Sequence, residues 1–496
     1  MKASSNAHLR RTLLCALFAG SIAAPFAVPH AYALPIEGTH AETNAGEANI
    51  STSGTVMDIT GKTEHNVLRW EDFSIDSGEK VRFDGGNQTR DYLNLVTGEG
   101  ASNIYGTIEG GRNVYLVNPH GILFAKGSEV NTGALYLSTA KPDDIAAATN
   151  TFKANGTSPL SATAQTGDVL NLGTVKTAKL YIEGKNVKVL NTDDIQNTDG
   201  TALTGATVKI RSAQTPHIGY DVGNRATANF DESGGSVQHS FYDYANPSTA
   251  KSASGRGWEV TNLGGAAHTD YDYMRVHDVY DLQNMNAKLD GRYILAGDID
   301  AGVTNTWNST AHGIEGFLPI GKGYRTKFTG RFDGAGHTLR GLYIKRMYDR
   351  DWNIALFGYA DGARIENLSL VDGDVEGHES VGGIAGYVRD TEIRNVSYTG
   401  RVVGNHEVGG IVGGIVGSTL QNAWNTGTVA GNQKSGGIVG EAYDATISHA
   451  VWKAGSAGQA VGALSNGTDA TTDVKVAHEA DMKLAATYTD WKDANG

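Results

Sequence analysis

Between residues 356 and 462 the chain repeats itself every 27 or 28 positions, and no other feature restricts its fold as much. The phrase Gly-Gly-Ile-Val/Ala-Gly ends at Gly386, Gly413 and Gly440, and a looser form ends at Gly358. Other columns keep the same step: Ile365, Ile393, Leu420 and Ile447, then Leu368, Val396, Ala423 and Ala450, then Gly373, Gly400, Gly427 and Ala454. A unit this short, made of β-branched runs closed by Gly and Asn, cannot bury its apolar face alone and must stack on its neighbours. Helical repeats of similar length need Leu and Ala stripes of 3.6-residue period, which this segment lacks. The expected class is therefore all-β, a parallel β-helix.

The chain opens as an exported protein would. Lys2, Arg10 and Arg11 precede the apolar stretch Thr12–Phe18 and Ala19–Ala24, and Ala31-Tyr32-Ala33 supplies a small-x-small cleavage pattern. Residues 1–33 are expected to be a signal peptide. Pro25 and Pro29 interrupt the apolar run, and no later stretch of 18 apolar residues follows, so the chain is not expected to span a membrane. The one cysteine, Cys15, lies within this leader, so the mature chain would rely on backbone ladders and core packing, without disulfides. Past the leader 38 basic residues face 54 acidic ones, a net charge of −16 that argues against nucleic acid or anionic lipid as partner. Glycine, 65 of 496 residues, is about twice its usual share, as tight turns between short strands require.

Residues 34–230 read as β throughout. Thr55–Ile59, Val81–Phe83, Asn113–Val117 and Ala134–Leu137 alternate apolar and polar residues, separated by turn phrases such as Asp84-Gly85-Gly86-Asn87. Asp143–Thr149 is the one helical suggestion there. Residues 231–277 are expected to be a linker. A second array is expected over 278–476, opening with an amphipathic helix at Asp278–Leu289. Residues 477–496 should form a cap or tail, helical over Ala477–Trp491.

Two resemblances cover most of this. Trp70-Glu71-Asp72-Phe73-Ser74-Ile75, Asn94-Leu95-Val96-Thr97-Gly98 and Asn113-Val114-Tyr115-Leu116-Val117-Asn118-Pro119-His120-Gly121-Ile122 are similar, in order and spacing, to the filamentous-haemagglutinin-type secretion domain. That resemblance implies a right-handed β-helix, recognised by an outer-membrane β-barrel transporter in two-partner secretion. His120 stands where the family commonly has Asn, and Leu95 where it commonly has Arg. Asn94 and Asn118 are kept and carry most weight. The second resemblance rests on Asp281-Leu282-Gln283, Leu318-Pro319-Ile320-Gly321, Phe328–Leu339 and the repeats themselves, which look like GLUG-motif arrays. GLUG repeats occur in bacterial surface and secreted proteins and name an architecture more than an activity.

The candidate site is thus a secretion or folding motif: Asn94, Gly98, Asn118, Pro119, His120, Gly121 and Ile122, with Gly358, Gly386, Gly413 and Gly440 defining the repeat. For Asn118–Gly121 a structural turn and transporter recognition both stay open. No catalytic residue, metal or cofactor is assigned. Asp298, Asp300, Asp333 and His337 tempt a polysaccharide-cleaving reading, but they sit in Gly-rich turns where Asp is the expected turn former. His378-Glu379 and His406-Glu407 recur 28 residues apart; a metal site is conceivable, but Gln433-Lys434 breaks the column and a solvated turn is preferred. Tyr398, Trp424 and Trp452 fall near equivalent places, with core packing preferred to sugar stacking. The function expected is a non-enzymatic adhesin exported by a transporter, its repeats facing a host-cell or glycan ligand. The alternatives are a polysaccharide-active enzyme or a structural matrix component.

Overall fold

The computed structural model describes residues 34–160, 164–232, 236–264, 271–348, 351–465, 470–478 and 480–483. The leader and most of the expected C-terminal helix lie outside these residues. The chain divides into two compact units, one built from residues up to 221 with 248–273, the other from 222–247 with 274 onward.

The first unit is a three-faced β-helix. One face stacks the strands Val56–Gly61, Lys80–Phe83, Thr107–Glu109, Glu129–Asn131, Thr174–Lys176 and Ile195–Gln196, all parallel. The second stacks His65–Trp70, Asp91–Val96, Asn113–Val117, Ala134–Ser138, Leu180–Gly184, Val208–Ser212 and Glu259–Asn262. The third stacks Ser102–Ile104, Ile122–Phe124, Val169–Asn171, Val187–Val189 and His217–Tyr220. From Lys80 to Tyr220 each turn of chain contributes one strand to each face in the same order, which is what stacked coils require. Leu68, Trp70, Tyr92, Val96, Val114, Leu116, Leu135 and Ile182 fill the interior.

Two devices close exposed strand surfaces. At the N-terminal end, Asn44 on the helix Ala41–Glu47 mimics a neighbouring strand: Nδ2 donates to the Arg69 carbonyl and Oδ1 accepts from the Arg69 amide, both at 2.7 Å. On the outer side of the second face, the helix Ala146–Asn155 lays Phe152, with Ile145, over Val67, Leu93, Leu95, Tyr115 and Val117. Strand Asp91–Val96 is consequently buried on both faces, which explains why Leu93 and Leu95, on its outer side, are apolar where a solvent-facing strand would alternate.

The stretch 231–277, expected as a linker, carries strands. Ser236–Tyr242 pairs antiparallel with Arg225–Asp231, and Glu259–Asn262 adds a parallel rung to Val208–Ser212. The hairpin strand Arg225–Asp231 is exposed along nearly its whole length, so it lacks the apolar pattern on which strand reading depends.

In the second unit Asp278 caps the helix Val279–Asn284, its Oδ1 accepting from the amides of Tyr280 and Asp281. Gln283 then grips Leu318 through both its amide and its carbonyl at 2.9 Å, which ties Asp281-Leu282-Gln283 to Leu318-Pro319-Ile320-Gly321. The repeats follow as stacked parallel coils: Arg364–Gly377, Glu392–Gly409, Thr419–Asn425 with Thr428–Gly436, and Thr446–Lys453 on the long face, Phe357–Asp361, Ala385–Arg389, Val412–Val416, Val439–Tyr443 and Val461–Leu464 on the short one.

The coil corners explain the repeat. Asn353, Ser380, Glu407 and Lys434 all have left-handed backbone, and so do Asn367, Asn395, Asn422 and His449. Where such a corner approaches the next coil, a Cβ on Gly386, Gly413 or Gly440 would lie 2.4–2.5 Å from backbone of Asn353, Ser380 or Glu407. Gly358 is equally tight, 2.4 Å from the Gly321 carbonyl. The preceding glycines serve the interior: Gly383, Gly410 and Gly437 leave room for Tyr398, Asn425 and Trp452.

Candidate secretion motif

Asn94 is on the inward side of its strand, stacked between Leu68 and Leu116 and fully buried. Its Oδ1 accepts from Trp70 Nε1 and its Nδ2 donates to the Tyr115 carbonyl, each at 3.0 Å. One polar side chain thus pins three successive coils, at a depth where an unpaired amide would be costly. Gly98 follows the strand end at a close crossing, where a Cβ would lie 2.0 Å from the Glu71 carbonyl oxygen.

Asn118 is also fully buried. Its Nδ2 donates to the Gly100 carbonyl at 2.9 Å and to Ser102 Oγ at 3.0 Å, and its Oδ1 accepts from the His120 amide at 2.9 Å. The Gly121 amide closes the turn on the Asn118 carbonyl at 3.2 Å. Pro119 supplies the second turn position, and the positive φ, +116°, falls on Gly121. His120 does not carry it, so the turn makes no demand for a left-handed residue at that position. His120 is exposed, and Ile122, 2% exposed, returns the chain to the core.

The turn is clasped from outside. Thr166 Oγ1 donates to the Pro119 carbonyl at 2.9 Å, the Ile122 amide donates to the Asp168 carbonyl at 2.9 Å, and a Cβ at Gly167 would meet the Gly121 amide nitrogen at 2.6 Å. Thr166, Gly167 and Asp168 end the insertion that carries the covering helix, a partnership between distant segments that no local pattern announces. Nearby, burial pushes the Asp91 carboxyl up, but hydrogen bonds from Arg112, Asn113 and His65 outweigh it and hold the group below its usual range.

The remaining candidates do not converge on one groove. Asp298 accepts from His337 Nδ1 at 3.3 Å and from the Thr338 amide at 2.9 Å. Asp300 accepts from the Gly302 amide, while buried Asp333 accepts from the Ala335 amide and Asn367 Nδ2. All three carboxylates shape turns or ladders. Tyr398 is fully buried, so the supposed aromatic strip is interior at that position, and Trp424 faces the other side of its strand. The histidine column is also rearranged. The extra residue of the 28-residue step sits as a bulge after Leu370, so the register beyond it is 27 and His406 pairs with Glu379 instead of His378.

The strand stacking defines a parallel β-helix, and its motif residues sit at the coil crossings of the first unit. Residues 36–244 match the family of the TPS secretion domain, the two-partner-secretion module. Within the curated proteins the chain is 33% identical over 156 residues to a heme/hemopexin-binding protein of Haemophilus influenzae, covering 31% of this chain and 17% of that one. It is 27% identical over 385 residues to halomucin of Haloquadratum walsbyi, covering 74% of this chain and 4% of that one. The chain spans less than a fifth of the length of these relatives. Among solved structures it overlaps the HMW1 secretion domain of Haemophilus influenzae at 14% identity and TM-score 0.24, over 86% of this chain and 96% of that one. The fold assignment rests on the strand pairing. Proteins that carry this domain are exported through an outer-membrane transporter to the cell surface or the medium. Among the described residues no helix is long and apolar enough to cross a membrane.

Proposed function

We propose that the first unit addresses this chain to a cognate outer-membrane β-barrel transporter and that the second, a GLUG-type array, presents a non-catalytic binding surface to a host-cell or glycan ligand, as an adhesin does. The observation that carries the first half is the secretion-domain match over 36–244, with Asn94 and Asn118 at its coil crossings. Both side chains are fully buried. They act by shaping the domain, and the exposed His120, with half-buried Pro119, is what a partner could touch on the folded turn.

Support for the second half lies on the short-strand face of the repeats. Tyr359 and Tyr387 stack with ring centres 5.2 Å apart, and Tyr324, 68% exposed, meets Tyr359 edge-on. Tyr324 is exposed and Tyr359 and Tyr387 behind it are half-buried, a short aromatic row whose open ring surface suits the apolar faces of sugar rings. The test of the secretion half is the full chain carrying Asn118→Ala, co-expressed with its transporter and followed by fractionation. The variant should accumulate in the periplasm, and undiminished secretion with unchanged folding would refute the role. For the binding half, Tyr387→Ala should lose signal on a glycan array; equal signal would remove this face from the account.

A further inference from the structure

A cluster in the second unit has the composition of a cation site. The 27-residue register sets Glu379 of one coil directly beside His406 of the next, and Glu407 follows on a left-handed corner with φ +52°. One ligand atom from each of the three lies within 4.8 Å of the others. His406 Nδ1 is sheltered from solvent without a hydrogen-bond partner, and it faces Glu407 Oε1 at 4.0 Å, too far for a hydrogen bond. The Glu379 carboxylate makes no hydrogen bond or ion pair among the described residues, whereas Glu366, Asp374 and Glu376 on neighbouring columns are each met by an arginine.

We propose that Glu379, His406 and Glu407 bind a divalent cation of the zinc class, which fastens two consecutive coils from outside. One imidazole nitrogen and two carboxylates are a ligand set such ions accept, and a short closing movement of these half-buried side chains would bring them to bonding distance. Ser380 Oγ donates to Glu407 Oε2 at 2.6 Å, which orients the carboxylate and leaves Oε1 for the ion. Lys434 is the resident competitor. Its Nζ is 2.6 Å from Glu441 Oε2 but 3.7 Å from Glu407 Oε1, so its charge is committed mainly to Glu441. Lys434 thus meets Glu441 and Glu407 but not Glu379, and the three carboxylates outnumber the one ammonium. The site departs from the solvated turn expected from sequence because the bulge replaces His378 by Glu379 beside His406.

The experiment is calorimetric titration of the full chain with zinc chloride, with cobalt(II) absorption as a second readout of nitrogen and oxygen ligation. The wild type should bind one equivalent that both Glu379→Gln and His406→Gln weaken by about 10-fold or more. The control His312→Gln, at an exposed turn, should bind like the wild type. Glu379→Gln removes no contact, so it should keep the wild-type melting temperature in metal-free buffer, and it decides the matter if His406→Gln misfolds. Equal zinc affinity in wild type and Glu379→Gln, or no binding at all, would overturn the proposal.

Discussion

At the scale of single residues, the candidate secretion motif joins coils through its two buried asparagines, Asn94 and Asn118. Asn118 serves two neighbouring segments with one amide, so Asn118→Ala strands the Gly100 carbonyl and the His120 amide. A loss of about 1–3 kcal/mol in urea unfolding is expected, and no change would mean that the turn is held by its backbone alone. His120→Asn restores the residue common at this position on an exposed side chain and should stay within about 0.5 kcal/mol of wild type. Gly121→Ala should cost more than about 1 kcal/mol in the same assay, since φ is +116° and the Asp168 carbonyl lies 3.1 Å from the added carbon. Sequence reading identified these residues but could not assign their roles. Burial of Asn94 and Asn118 depends on which face of each strand turns inward, and an Asn inside an apolar core contradicts the pattern by which faces are read.

At the scale of elements, legibility followed periodicity. The coils of the second unit were readable because left-handed corners and backbone crossings force glycine at a fixed step, whereas the hairpin Arg225–Tyr242 was hidden by its exposed, polar first strand. The bulge after Leu370 was also invisible, because one extra residue leaves the glycine columns aligned while shifting the side chains between them. Gly413→Ala would place a carbon 2.5 Å from the Gly386 carbonyl oxygen and should destabilise the repeats by about 1–3 kcal/mol or more, read by hydrogen exchange across Val412–Val416. Undisturbed protection there would contradict the corner argument. The hairpin is held to the helix Val279–Asn284 through Arg225, which donates to buried Asp281 at 3.1 Å. Burial, with Asp278 nearby, pushes the Asp281 carboxyl up to about 6 despite that arginine. The folded form then holds a proton that the unfolded chain, with an ordinary carboxyl near 3.8, has already released. This contribution is complete below about pH 4 and is lost as pH rises toward 6. The melting-temperature margin of wild type over Asp281→Asn should therefore shrink between pH 4 and 6.5, and a margin that widens would contradict the assignment.

At the scale of the whole chain, a secretion domain followed by a repeat array has one physical rationale. Stacked coils gain stability from the rung before them, so a chain that emerges on the far side of a membrane from one end can fold as it arrives. The N-terminal cap at Asn44 closes the first coil's exposed edge, and each later coil finds a template already in place. The leader pattern pointed to export, while any binding face of the repeats was illegible because it depends on which rings reach the surface: Tyr398 is interior and Tyr324 is not. The most direct test of the export claim is quantitative fractionation of cells with and without the cognate outer-membrane transporter. Its removal should leave the chain in the periplasm and none outside, and an undiminished amount at the surface or in the medium would contradict the account.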